Sequence, residues 1–478
     1  MNRRLLPVIF LGALAARAFA LDGQVGIHDP STVIVCDGKF YTFGTGGAPL
    51  VSDDGWTWRA GTRPSRTGLA PDVIHLGDRY YMYIAANIGG LPRAEITMIS
   101  NKTLDPASPD YKWEDGGVVC STDGLEDCNG IDPGVILDPA DGKLWLSYGS
   151  YFGFIRIVQL DPKTGKRIDL NDKPIDLSIN MEATDIIYHD GWYYLFGTRG
   201  SCCRGTDSRY NIRVGRSKKV TGPYVDDEGV PLIQGGGKLF VGSGGRVIGP
   251  GHFGLLEVDG VQKFSMHYEA DLDRGGASVL DIRPLLWKDG WPVAGDNARE
   301  GTYEIESVRM GTVLEMAVEG QPVGGGGRGR GGRGGRGGGG APMANQDAAA
   351  VSATWPTDKV GVRMANYLLQ AQQKWTIAPA PNAGGYPGSP YFKITIAGTD
   401  RALAATPEGE LVALPAFTGA PEQLWRIDGL EDGTFRIMPK AVPNAKEPLV
   451  LTAIGNSSVT LEKASPKSNK QRWNLKAP

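Results

Sequence analysis

Excess charge of either sign is absent. Fifty lysines and arginines stand against 53 aspartates and glutamates, a formal charge of −3 over 478 residues. No global field draws the chain to nucleic acid or to an anionic membrane, so neither partner is expected and a neutral substrate is. Cysteine is scarce too. Five residues, at positions 36, 120, 128, 202 and 203, are too few and too unevenly spaced for a disulfide framework or a C-x-x-C zinc site. Stability has to come from hydrophobic cores, and this length leaves room for two or three domains. Cys120 and Cys128 stand close enough in sequence to close a short loop in an oxidising compartment or to remain reduced. Long apolar runs are missing as well: the one candidate, MNRRLLPVIFLGALAARAFA, is broken by Arg17 and falls short of the ~20 residues that a membrane span takes. Its Arg3-Arg4 head, apolar stretch and small residues Ala18 and Ala20 have the three parts of a secretory signal. Cleavage is expected after Ala20, giving a secreted or periplasmic product.

Amphipathic helices of useful length are the last absence, and β-hairpins take their place. VIVCDGKFYTFGTG (33–46), VIHLGDRYYMYIAA (73–86), VILDPADGKLWLSYGS (135–150), IIYHDGWYYLFGTR (186–199) and LLEVDGVQKFSMHY (255–268) each wrap β-branched and aromatic residues around an Asp-Gly or Gly-Asp turn, a strong local hairpin signal. The region 22–295 is therefore expected to be all-β. Five recurrences favour the blades of a five-bladed propeller over a sandwich.

The texture changes after residue 297. Three aromatic-led stretches end in Gln373-Lys374-Trp375, Gln423-Leu424-Trp425 and Gln471-Arg472-Trp473. This threefold pattern over about 300–476 resembles the ricin-type β-trefoil, which implies that each Trp packs in a shared core. The resemblance also implies a pocket carboxylate soon after the first strand of each repeat. The corresponding stretches are Leu314-Glu315-Met316, Leu403-Ala404-Ala405 and Leu449-Val450-Leu451, so two repeats lack it. Within the first repeat, residues 324–340 are glycine and arginine only. Such a run cannot bury a core, and a disordered, solvated insertion is expected.

Carboxylates recur where the hairpins begin: His28-Asp29-Pro30, Ala70-Pro71-Asp72, Asp132-Pro133-Gly134 and Glu182-Ala183-Thr184. The innermost strand of every propeller blade starts near the axis, which gives Asp29, Asp132 and Glu182 one address at the mouth of a channel. Glycoside cleavage with inversion needs such a set. One carboxylate activates water, and one carboxylic acid about 6.5–9.5 Å away protonates the leaving oxygen. A third carboxylate near the acid would hold its proton by repulsion.

HDPSTVIVCDGKFYTFGTG, LAPDVIHLGDRYYMY, NGIDPGVILDPADGKLWLSYGSYFGFIRIVQLDPKTGK, EATDIIYHDGWYYLFGTRGSCCRGTDSRYNIRVGRSKKVTGPY and IGPGHFGLL resemble, in order, the blocks of glycoside hydrolase family 43, most closely its endo-1,5-α-L-arabinanases. The resemblance implies a five-bladed propeller, an inverting mechanism, Asp29 as general base, Glu182 as general acid and Asp132 as the residue that tunes and orients the acid. It also implies that His252 stands beside a single ion, Ca²⁺ being the first candidate, with no organic cofactor. Sugar contacts are implied for Asn129, Ile131, Ser150, Tyr151 and Phe152. The pair Cys202 and Cys203 falls in the loop leaving the fourth blade, where a vicinal disulfide or two thiols would line the sugar site. Leu69, Ile84-Ala85-Ala86, Gly134 and Thr184 depart from the family pattern without touching the three carboxylates. The expected protein is thus a monomeric, exported arabinanase. An exo-acting α-L-arabinofuranosidase or β-xylosidase, or a non-catalytic carbohydrate-binding protein, are the alternatives.

Overall fold

The computed structural model describes residues 21–47, 49–87, 93–122, 128–151, 153–318 and 351–478. The expected signal, Phe152 and the insertion at 324–340 lie outside them.

Five sheets follow one another along the chain. Their innermost strands are Ile34–Cys36, Leu69–Leu76, Gly134–Leu137, Glu182–His189 and Val247–Val258. From each, the chain meanders outward through three further antiparallel strands, which makes the five-bladed β-propeller. The ends are laced together. Asp22–Gly23 adds a parallel strand to blade one, while the Ile27 N–H bonds Ser278 O and the Leu280 N–H bonds Val25 O in blade five.

The turns behave as their sequences dictate. Cys36 pairs with Lys39, His189 with Trp192 and Val258 with Val261, each across an Asp-Gly in which both residues have positive φ. That is the two-residue turn whose twist matches the strands. The third hairpin differs. Leu137 pairs with Leu144 across six residues, because Pro139 lacks the N–H and the φ that a two-residue turn there would need.

Aromatic side chains fill the seam between blades four and five, where Phe196 stacks on Phe253 at 3.8 Å and Phe240 meets Phe264 edge-on at 4.8 Å. The cysteines add no staple to these cores. Cys36, Cys120 and Cys128 are buried thiols, so the loop-closing option for Cys120 and Cys128 is not taken.

Beyond Gly301, six strands pair in a closed ring: Gly301–Ser307, Trp375–Pro379, Phe392–Ile396, Trp425–Gly429, Phe435–Pro439 and Trp473–Lys476. Three hairpin pairs accompany it, Val313–Met316 with Val360–Ala365, Ala402–Ala405 with Leu411–Leu414, and Leu449–Ile454 with Ser458–Lys463. Trp375, Trp425 and Trp473 are completely buried in one core. Each donates its indole N–H to a hairpin carbonyl, those of Leu314, Leu403 and Leu451. Glu315 is buried, and its carboxylate is taken by Arg363 at 2.7 Å and by the Gln373 amide at 2.7 Å.

This C-terminal part is seated on the propeller by a buried charge cluster. Asp428 pairs with Arg426 at 2.8 Å, with Arg436 at 3.4 Å and with Lys263 of blade five at 3.8 Å. The Lys263 ammonium also donates to Pro387 O, and Arg426 reaches Asp259 at 2.6 Å.

Candidate active site

Each innermost strand carries, within it or shortly before it, a non-glycine residue in the left-handed backbone region: Asp29 (φ 48°), Ala70 (40°), Asp132 (55°), Ala183 (52°) and His252 (57°). Non-glycine residues rarely adopt this conformation, and strain of this kind gathers at functional sites. Register shifts follow the kink between Leu69 and Asp72, between Glu182 and Asp185 and between Gly251 and Gly254. Bulges of this sort re-aim side chains at a barrel or sheet rim.

The kinks also correct the expected equivalence of the carboxylates. Asp29 and Asp132 occupy the kink itself, whereas blade four has Ala183 there, so Glu182 stands one residue earlier. Blade five puts His252 at the kink. Asp72 serves a different purpose from the other acids: it is buried and accepts the N–H groups of Thr32 at 3.1 Å and Val135 at 2.9 Å, tying blades one, two and three at the axis.

Asp29 is gripped on both oxygens. Thr45 Oγ1 donates to Oδ2 at 2.6 Å, His28 Nδ1 lies 2.8 Å from the same oxygen, and His252 Nδ1 lies 3.2 Å from Oδ1. Its backbone N–H donates to His267 Nδ1 at 3.0 Å. Burial alone would raise the Asp29 pKa, but the charge and hydrogen bond of His252, then the hydrogen bond of His28, hold it well below the usual carboxylate range. Burial likewise works against a charge on His28, yet its hydrogen bonds to Asp29 and Glu269 push it up to about 10. Asp29 is therefore an anion clamped beside an imidazolium.

Glu182 has the opposite setting. Ser150 Oγ donates to Oε2 at 2.6 Å and Tyr210 donates to Oε1. Burial nonetheless dominates and raises its pKa. Asp132, whose Oδ2 accepts the Ala183 N–H at 3.2 Å, is raised well above the usual range by burial and then by the charge of Glu182. Two carboxyls that disfavour each other's charge keep a proton between them. Among the described residues, no lysine or arginine pairs with Asp29, Asp132 or Glu182.

The other expected site residues separate into groups. Ser150 is buried against Glu182, so it orients the acid. Tyr151 is half-buried and donates to Thr198 O at 3.0 Å. Ile131, next to Asp132, packs on the core of blades two and three. Asn129 is fully buried, and neither end of its amide has a hydrogen-bond partner among the described residues. Cys202 and Cys203 form the vicinal disulfide, and the Cys203 N–H donates to Glu269 Oε2 at 2.8 Å.

Sequence reasoning did not single out His28, Thr45, Tyr210, His267 or Glu269. Two signals were available: His28 adjoins Asp29, and His267 and Glu269 alternate on one strand face, as residues i and i+2 do.

Two positions offer groups that could hold a cation. His28, Asp29 and His267 cluster within 4.8 Å, but both His28 nitrogens and the His267 Nδ1 are already hydrogen-bonded. His252 Nδ1 is buried and has Asp29 Oδ1 at 3.2 Å as its contact, outside hydrogen-bond geometry, as the buried His267 Nε2 is 3.4 Å from Glu269; among the described residues, no lysine or arginine pairs with the carboxylates around His252.

Known proteins resemble the chain in sequence and fold. The model for glycosyl hydrolases family 43 matches residues 36–292. The extracellular exo-α-(1→5)-L-arabinofuranosidase of Cellvibrio japonicus is 35% identical over 56% of this chain and 86% of its own. The extracellular endo-α-(1→5)-L-arabinanase 1 of Bacillus subtilis is 29% identical over 56% and 87%. In the crystal structure of an exo-1,5-α-L-arabinanase from a bovine ruminal metagenomic library, 99% of that chain superposes on 58% of this one, with TM-score 0.54 and 34% identity. The propeller, its axial carboxylates and these likenesses lead to one conclusion: the chain belongs to glycosyl hydrolase family 43 and is a glycoside hydrolase.

Proposed function

We propose that the chain is an exported inverting glycosidase that hydrolyses α-1,5-linked L-arabinan or its oligosaccharides. The observation that carries the chemistry is the contrast in settings at one axis: Asp29 is held by Thr45, His28 and His252, and the two histidines keep its pKa low, while Glu182 is buried with only hydroxyl partners, and burial raises its pKa. The substrate reading comes from the relatives above, whose names specify (1→5)-linked arabinose polymers or arabinofuranosides, two of them as extracellular proteins.

The proposed steps divide among the axial residues. Asp29, kept anionic by His28 and His252, takes a proton from water as that water attacks the anomeric carbon. Glu182 gives its proton to the departing glycosidic oxygen on the opposite side of the sugar. Asp132 shares its buried setting with Glu182, which disfavours two charges there, and anchors the Ala183 N–H next to the acid. The Cys202–Cys203 disulfide and Tyr151 form the wall against which a furanose ring rests. His252, with the neighbouring carboxylates, would hold one cation, Ca²⁺ first among candidates; when bound, it supplies positive charge at the axis. Dialysis against a chelator is expected to release one equivalent of metal, measured by emission spectrometry, and to lower activity that the added ion restores.

The remaining organisation follows the same reading: a signal at 1–20, the propeller at 22–295 and a β-trefoil at 300–476. The closed six-strand ring, three hairpins and three equivalent Trp-to-carbonyl bonds support the last. Products from debranched arabinan, arabinoxylan and aryl glycosides test the function. Early release of mixed arabino-oligosaccharides from arabinan marks endo action and a single product size marks exo action; no release from arabinan refutes the substrate reading.

A further inference from the structure

Glu269 stands at a junction that the proposed steps leave unused. It lies on Val261–Asp271, the strand next to the innermost one of blade five, and its side chain is 2% exposed. Oε1 is 2.9 Å from His28 Nε2 and 3.4 Å from His267 Nε2. Oε2 accepts the Cys203 N–H at 2.8 Å. The surrounding backbone leaves little room to rearrange, since a Cβ at Gly249 would come within 2.9 Å of the Glu269 Cβ.

One carboxylate thus holds two parts of the site at once. Towards the axis, it anchors the far nitrogen of His28, whose near nitrogen holds Asp29 Oδ2. His28 is also sandwiched against His267, with ring centroids 4.7 Å apart, and the His267 Nδ1 receives the Asp29 N–H. Towards the substrate wall, it fixes the backbone of the disulfide. Burial would raise the Glu269 pKa, but its hydrogen bonds to His267 and His28 lower it to about 2, so it remains an acceptor on both sides.

We propose that Glu269 is a positioning residue: it fixes the orientation of the base Asp29 through His28 and locks that base to the Cys202–Cys203 wall, so that the sugar ring and the attacking water are set from one point. The proposal rests on the assignment of Asp29 as base. Glu269 touches neither the sugar nor the water. Its contribution is alignment, where a misplacement of about 1 Å costs ~10²-fold in rate. An amide cannot serve both partners in the same way, because its nitrogen donates where the carboxylate accepted. In Glu269→Gln either His28 or Cys203 loses its acceptor.

The test compares wild type, Glu269→Gln and Glu269→Asp on linear α-1,5-arabinan, with kcat and KM measured separately and folding followed by thermal melting. The expected result is a fall in kcat of ~10²-fold for Glu269→Gln, with a melting curve like wild type and partial recovery in Glu269→Asp, which keeps the charge. Wild-type kcat and KM in Glu269→Gln would overturn the proposal. So would a loss of rate that merely tracks the loss of folded protein in both variants. A wild type that leaves arabinan intact would instead remove the functional reading beneath it.

Discussion

Two buried charge clusters, both centred on carboxylates, do opposite work. Under the C-terminal part, Asp428 meets Arg426, Arg436 and Lys263; cations outnumber the acid, and they hold it below the usual carboxylate range despite burial. At the propeller axis, Asp29, Asp132 and Glu182 converge with histidines as their only nearby cationic groups among the described residues. There burial raises Glu182 and Asp132, and a proton is retained. A cluster in which cations surround the acid makes a joint between two parts of a chain. An acid-rich one makes groups that hold a proton above the usual carboxylate range, a property that marks candidate catalytic centres.

Breaking the joint should give the largest change in stability. Asp428→Asn strands Arg426, Arg436 and Lys263 without their anion, and removing one partner of a buried pair costs ~3–5 kcal/mol. Chemical denaturation should register that loss, while kcat of the protein that remains folded stays near wild type. If stability is unchanged, the cluster is not a joint.

The pH profile sharpens the other half of the comparison. With the proposed roles, activity needs Asp29 ionised and Glu182 protonated. Asp29 is held below its ordinary 3.8 and Glu182 is raised above its ordinary 4.5. The kcat/KM profile should therefore lose its acid limb only below 3.8 and fall on the alkaline side as pH rises through the elevated Glu182 value. An alkaline limb at or below 4.5 would mean that burial does not protect the proton.

A smaller effect is expected at the wall. Replacing Cys202 and Cys203 together by alanine should raise KM for arabinan several-fold with little change in melting temperature, because the disulfide spans adjacent residues and encloses no loop to stabilise. A large fall in melting temperature with unchanged KM would assign the pair to folding.

Much of the propeller could be anticipated from local chemistry. Five turn-centred hairpins marked five blades, and Asp-Gly pairs with positive φ made three of the turns as their sequences require. The three tryptophans likewise announced a shared core. What stayed hidden depends on long-range assembly. His28 and Glu269 are 241 residues apart in the chain, and nothing local to either marks them as partners. The one-residue offset of Glu182 comes from a bulge, which no spacing pattern encodes. Ser150 illustrates the same limit: its sequence block placed it near the site, but only the folded geometry turns it from sugar contact to partner of the acid.

The most direct test sets the intact chain beside Glu182→Gln and measures the initial rate at which reducing ends appear from linear α-1,5-arabinan. The general acid contributes ~10²–10⁴-fold, so the variant should lose a factor in that range while keeping its melting curve. Equal rates in the two proteins would contradict the assignment of Glu182 and, with it, the account of the axial carboxylates as the catalytic centre.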